Sequence, residues 1–127
     1  WEYACRAGST TAYFFANDPA QLCDYAWYRK NSERKTHPVR KKKPNAWGLH
    51  GMHGNVWEWC ADRYGYYPYK PVTDPTAPGR VKGSGRVTRG GSWSSRAREI
   101  RSAQRSDLEP FNREANTGFR PVRSVSD

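Results

Sequence analysis

Gly51-Met52-His53-Gly54-Asn55-Val56-Trp57-Glu58-Trp59 is the stretch from which the rest of this chain can be read. Val56 and Glu58 alternate with Trp57 and Trp59. That is the two-residue period of a strand, here with both faces at least partly buried. Pro44 to Leu49 turns into it. Beyond it, Tyr64 to Pro78 holds four Tyr and four Pro, which predicts an ordered loop pinned by aromatic rings, neither helix nor central strand. Gly79 to Gly85 reads as a mobile connection. Arg86-Val87-Thr88-Arg89 reads as a strand running into Gly90-Gly91, where paired glycines permit positive φ or close backbone approach. Arg98 to Arg105 is compatible with strand or helix. Asp107 to Asn116 reads as an exposed loop, and Gly118 to Val122 as a short strand that Pro121 keeps at an edge.

Upstream, Trp1, Ala4 and Cys5 fall at helical spacing, and Gly8 can stop that helix. No capping residue precedes it, which leads us to expect a missing upstream turn. Asn17-Asp18-Pro19 is a turn, and Asp24 to Tyr28 is an aromatic segment expected to pack. Arg29 to Lys43 is polar and basic. Its densest run, Arg40-Lys41-Lys42-Lys43, reads as a solvated loop. It lacks neighbouring aromatics in sequence, which argues against single-strand nucleic-acid binding. There is no internal repeat and no low-complexity tract.

The 127 residues suit one domain with a modest core. An apolar fraction of 35% and a mean hydropathy of -1.06 would by themselves suggest disorder. Six Trp, eight Tyr and four Phe oppose that and predict a folded domain with an aromatic core. The net charge of +10 favours acidic partners: nucleic acid, anionic lipid or an acidic protein face. Three cysteines, Cys5, Cys23 and Cys60, show no zinc-like spacing and allow at most one disulfide. Free thiols lean toward a reducing, cytoplasmic setting over secretion. No signal peptide and no bilayer-spanning run is present, so membrane insertion is not expected. A first residue of Trp rather than Met fits a fragment.

Four segments in order carry a family resemblance: Trp1-Glu2-Tyr3-Ala4-Cys5-Arg6-Ala7-Gly8; Trp47-Gly48-Leu49 leading into Gly54-Asn55-Val56-Trp57-Glu58-Trp59; Arg89-Gly90-Gly91-Ser92-Trp93; and Asn116-Thr117-Gly118-Phe119-Arg120. Together the chain resembles the formylglycine-generating enzymes, or sulfatase-modifying factors. The resemblance implies an α+β fold of C-type-lectin-like character, with low regular secondary structure and a small antiparallel sheet. It implies one domain over 1–127, lacking its N-terminal part and accompanied by an upstream domain of the same polypeptide.

In catalytic members a copper-binding cysteine pair follows the Gly-Gly-Ser motif. The matching positions here are Ser95 and Ile100, and no cysteine follows Cys60. Neither side chain is a ligand for soft Cu(I), so no copper is expected. Ser92 matches a family active-site serine, but with no base nearby in sequence it reads as a hydrogen-bond partner. The resemblance also implies a calcium site using Gly54, Val56 and Glu58, with Gly51 standing where the family has an Asp or Asn ligand. Glu58 is alternatively free to pair with Arg105 or Arg120. His50 and His53 read as structural histidines and His37 as exposed.

The face expected to bind a ligand runs from Trp93 to Asn116. Its candidates are Trp93, Ser94, Ser95 and Arg96 at the start; Arg98, Glu99 and Gln104 in the middle; and Ser106, Asp107, Phe111, Arg113 and Asn116 at the end. In the variable proteins of diversity-generating retroelements, which resemble this scaffold, the corresponding stretch is the hypervariable ligand surface. Glu99, Gln104 and Glu109 count against adenine-directed diversification here. The chain is therefore read first as a non-catalytic module binding a protein or other ligand. An oxidoreductase or accessory enzyme domain and a basic nucleic-acid-binding module are the alternatives.

Overall fold

The computed structural model describes residues 1–67, 69 and 80–123. Helix α1 (Glu2–Arg6) ends at Ala7, which takes the left-handed conformation, with Gly8 following at φ +94°. A single 3₁₀ turn at Pro19–Gln21, capped by the Asp18 side chain on the Ala20 N–H, leads into α2 (Leu22–Tyr25). Strands β1 (Trp57–Tyr66), β2 (Arg80–Arg89), β3 (Arg105–Leu108) and β4 (Thr117–Gly118) form a sheet in the order β3-β2-β1-β4. Among the described residues no helix is long and apolar enough to cross a membrane.

β1–β2 and β2–β3 pair antiparallel, while β4 pairs parallel to β1 through Trp57–Thr117 and Glu58–Gly118. The sheet is thus small and mixed rather than purely antiparallel. A strand arriving after a long return loop can lie beside β1 in either direction. The last strand, expected over Gly118 to Val122, covers only Thr117–Gly118, so Pro121 lies beyond it; it does sit at the sheet edge.

Two expectations are corrected. The Tyr-rich segment does not start as a loop: β1 continues through Tyr64–Tyr66, bending at irregularities between Trp59 and Gly65. Likewise, Arg80–Gly85 is strand, because its backbone finds partners at Gly65 and Tyr66. Residues 68, 70–79 and 124–127 of the Tyr/Pro segment and the tail lie outside the described residues.

The open segment Arg98 to Arg105 resolves as a 3₁₀ turn at Ala97–Glu99, then a bend, then the start of β3. Asp107 and Leu108 belong to β3, so the loop expected from Asp107 begins at Glu109.

The core mixes aliphatic and aromatic side chains rather than being the aromatic core expected, with Tyr13 and Tyr28 beside Leu22, Ala26 and Ile100. Phe15, Cys23 and Ala97 pack against them. Phe15 stacks on Tyr25 at 4.2 Å, and Phe14 stacks on His53 at 4.7 Å. Gly91 sets how closely the Gly-Gly turn meets this core. Its φ is +72°, and a Cβ there would lie 2.0 Å from Ile100 Cγ2.

Candidate functional site

Residues directly opposite one another on neighbouring strands share a face. Trp59, Thr88 and Ser106 form one such row across β1, β2 and β3. Trp57 lies on the same side of β1 by alternation, paired with Thr117. The other side of the sheet carries Glu58, Arg89 and Arg105. One Trp-Glu-Trp run therefore serves two faces.

The Trp face is open. A groove of about 200 Å³ is lined by Trp57, Thr88, Ser106, Asp107, Leu108, Glu114, Asn116 and Thr117. A shallower one beside it is lined by Trp59, Asn112–Ala115 and Thr117–Phe119. Phe111 is 79% exposed and Phe119 78%. Of the sequence candidates, the structure gathers Ser106, Asp107 and Asn116 at the first groove and Arg113 at the second. Ser94 is exposed next to Asn116, whose amide donates to the Ser94 hydroxyl at 3.2 Å.

Arg96, Arg98, Glu99 and Gln104 form a separate patch around the Ala97–Glu99 turn. The Arg96 N–H donates to the Glu99 carboxylate at 2.7 Å, and Arg101 donates to the Gln104 side chain at 3.3 Å. The Arg98 side chain is 73% exposed. Trp93 is half-buried and fixed through its backbone: its N–H donates to Asn55 and its carbonyl accepts from the Ser32 hydroxyl. Ser95 turns inward, and its hydroxyl accepts from the Ser92 N–H at 3.1 Å. It offers no surface to a ligand. Sequence reasoning left out Trp57, Trp59 and Thr88. The strand alternation that placed the two Trp side chains on a common face was the available signal.

Ser92 is fully buried, its hydroxyl shared with Ser94 and Ser95 at 3.0 and 3.3 Å. No histidine contacts it among its hydrogen bonds. Ile100 is a core residue. The three thiols are all free, and none pairs with another. Burial pushes the Cys5 thiol up to about 11, with Ser102 its nearest polar partner at 3.7 Å. Cys60 is raised by burial too, and Cys23 sits 3.5 Å from the Tyr28 hydroxyl.

On the closed face, Glu58 is fully engaged. Arg120 donates to its two carboxylate oxygens at 2.8 and 3.0 Å, and the Trp1 indole donates at 2.7 Å. Arg120 Nη2 also reaches the carbonyls of His50 and Gly51, at 2.9 and 3.3 Å. Of the two arginines expected for Glu58, Arg120 is the partner. Arg105 instead donates to the Gly65 carbonyl and lies over the Tyr67 ring at 4.0 Å. Both Glu58 carboxylate oxygens thus accept hydrogen bonds from within the protein. No group of three or more His, Cys, Asp or Glu suited to a metal occurs among the described residues.

The histidines are structural, with one correction. His53 is buried, accepts from the Phe14 N–H at 3.2 Å, and is pushed down to about 3 by burial. His50 bonds the Lys42 carbonyl at 2.8 Å. His37 is not an exposed residue: it stacks on Trp27 at 3.9 Å and bonds the Ser32 carbonyl.

The family model for the sulfatase-modifying factor enzyme 1-like domain matches residues 1–125. The chain belongs to this family. It is similar to the formylglycine-generating enzyme of Streptomyces coelicolor, 35% identical over 94% of this chain and 43% of that protein. A serine/threonine-protein kinase pkn1 of Chlamydia pneumoniae is 39% identical over 72% of this chain but only 15% of its own length. Among solved structures, Treponema denticola variable protein 1 superposes with a TM-score of 0.84 at 41% identity, over 94% of this chain and 43% of that one. PvdO from Pseudomonas aeruginosa does so with a TM-score of 0.79 at 31% identity, over 93% and 47%. The chain therefore spans less than half the length of each of these family relatives.

Proposed function

We propose that this family member is a ligand-binding module that uses the open Trp face to hold a protein, and not a thiol oxidase. The observation that carries the proposal is what occupies the two positions matching the copper thiolates. Ser95 is spent on a loop hydrogen bond and Ile100 on the core. An oxygen-activating copper centre needs soft sulfur ligands there. What remains is a face with aromatic area from Trp57, Trp59 and Phe119 beside short polar side chains at Ser94, Ser106 and Asn116. Large rigid aromatics mixed with adaptable polar groups suit protein contact. Similarity to a Treponema variable protein supports a retroelement-type role for the same surface.

Two measurements test this. Cu(I) titration against a chelating competitor, with aerobic oxidation of a cysteine peptide, should show neither stoichiometric copper nor turnover; turnover would overturn the proposal. Arg113→Ala and Phe119→Ala, both at the second groove of the Trp face, should each weaken a protein ligand selected by display on this chain. Both should leave the melting temperature nearly unchanged, since exposed truncations cost within about 0.5 kcal/mol. Unaltered binding in both variants would move the contact surface elsewhere.

A further inference from the structure

A second cleft lies on the other side of Phe119, away from the Trp face. Its volume is about 390 Å³, against about 200 and 450 Å³ for the two grooves of the Trp face, and falls within the range of small-molecule sites. Trp27 lies in its wall, with the loop carrying Val39 to Lys42 on one side and Phe119 to Pro121 on another.

Its charge is one-sided. Arg40, Lys41 and Lys42 all line it. Glu58 is the one carboxylate among the described lining residues, and Arg120 and Trp1 already take both its oxygens. Lys42 is held in place, its ammonium 3.8 Å from the centre of the Trp27 ring and donating to the Cys23 carbonyl. An ammonium has three N–H groups, so capacity remains for a ligand. The Trp27 indole N–H is buried and has no acceptor in the protein, an arrangement that costs free energy unless a ligand or water supplies one. Val39, Leu49, Val56, Phe119 and Pro121 supply apolar wall, with His50 and Asn55 among them.

We propose that this cleft binds a small organic anion, a carboxylate on an apolar body. The acid answers the surplus of Lys and Arg; the body answers the apolar wall. A metal ion is disfavoured because no lining carboxylate is free. A stacked nucleobase is disfavoured because His37 and Lys42 already cover the Trp27 ring.

The test is a titration of the protein with phenylacetate, phenylacetamide and inorganic phosphate, read by the indole N–H resonance of Trp27 and by calorimetry. Phenylacetate should bind saturably, shift that resonance, and bind about tenfold tighter than its neutral amide, the worth of one charge-assisted contact. The double variant Arg40→Gln/Lys41→Gln changes exposed side chains and should fold normally while losing most of that preference. Lys42→Gln should lose it as well. Failure to saturate, equal affinity for acid and amide, an unchanged preference in the double variant, or phosphate binding as tightly as phenylacetate would each overturn the proposal.

Discussion

Replacing Arg120 by Met removes the cation from a carboxylate that is nearly buried. The Glu58 side chain is 7% exposed and that of Arg120 31%. The substitution deletes two charge-assisted bonds to Glu58 and uncovers the carbonyls of His50 and Gly51. Stripping one partner from a buried pair costs about 3–5 kcal/mol. Partial exposure of Arg120 and the remaining Trp1 N–H place this case near the bottom, at about 3 kcal/mol. For a chain of this size that lowers the melting temperature by about 10 °C. Glu58→Gln removes the buried charge itself, so in the double variant the Arg120→Met penalty should shrink, leaving a coupling of about 2 kcal/mol. Thermal melts of the parent and three variants give the cycle. Millimolar calcium provides a further arm. It should leave the parent unmoved and recover part of the loss in Arg120→Met, where a carboxylate and two carbonyls are released. A melting temperature of Arg120→Met within about 2 °C of the parent, additive effects in the cycle, or a parent stabilised by calcium would refute the reasoning.

Two further outcomes are expected. Gly91→Ala should abolish cooperative unfolding in a thermal melt, because its Cβ would lie 2.0 Å from Ile100 and φ is +72°; Gly48→Ala, at φ +75° with nothing within 4 Å, should cost only about 1 kcal/mol. Equal losses would show that packing against Ile100 is not the cause. His53 stays neutral in the fold down to about 3, against an ordinary value of 6.5. Below pH 6.5 the unfolded chain takes up a proton that the folded one refuses, so stability falls as pH drops from 6.5 toward 3, on the order of 1 kcal/mol per pH unit. Urea melts across that window should show a shallower fall in His53→Gln; an identical slope would mean other groups dominate.

What was legible in the sequence was local. Alternation through Val56–Trp59, the run into Gly90-Gly91 and the helix ending at Ala7-Gly8 each depend on a few neighbouring residues. The errors concern segments whose state is set by distant partners. Arg80 to Gly85, rich in Gly, Lys and Ser, looks like a mobile connection until β1 supplies Gly65 and Tyr66 as pairing partners. The Arg40–Lys43 run lacks aromatics in sequence. The fold brings them from a segment some fifteen residues upstream, with Lys42 on Trp27 and Lys43 near Tyr25. His37 looked exposed for the same reason. The candidate face was legible as a segment but not as a surface. Trp57, Trp59 and Thr88 join it only through sheet register, and Ser95 leaves it because its hydroxyl turns to Ser92.

The two faces of β1 also explain how one segment can present varied side chains without disturbing the fold. The stretch from Trp93 to Asn116 is fastened at its ends by main-chain groups. The Trp93 N–H donates to Asn55, the Asn116 carbonyl accepts from Trp57, and midway the Ser102 N–H donates to Ala12. Backbone bonds of this kind are indifferent to the side chains between them. Within the stretch, Ile100 and Ser102 are the residues sunk into the interior, and Ser95 closes the turn. Arg96, Arg98, Asp107, Phe111 and Arg113 project outward from fixed backbone. Glu58 and Arg120 meanwhile tie the central strand to the Gly-Phe-Arg segment from the opposite side of the sheet. Structural demand and surface chemistry thus fall on alternate residues of the same strand. A change of ligand on the Trp face leaves the Glu58–Arg120 lock untouched.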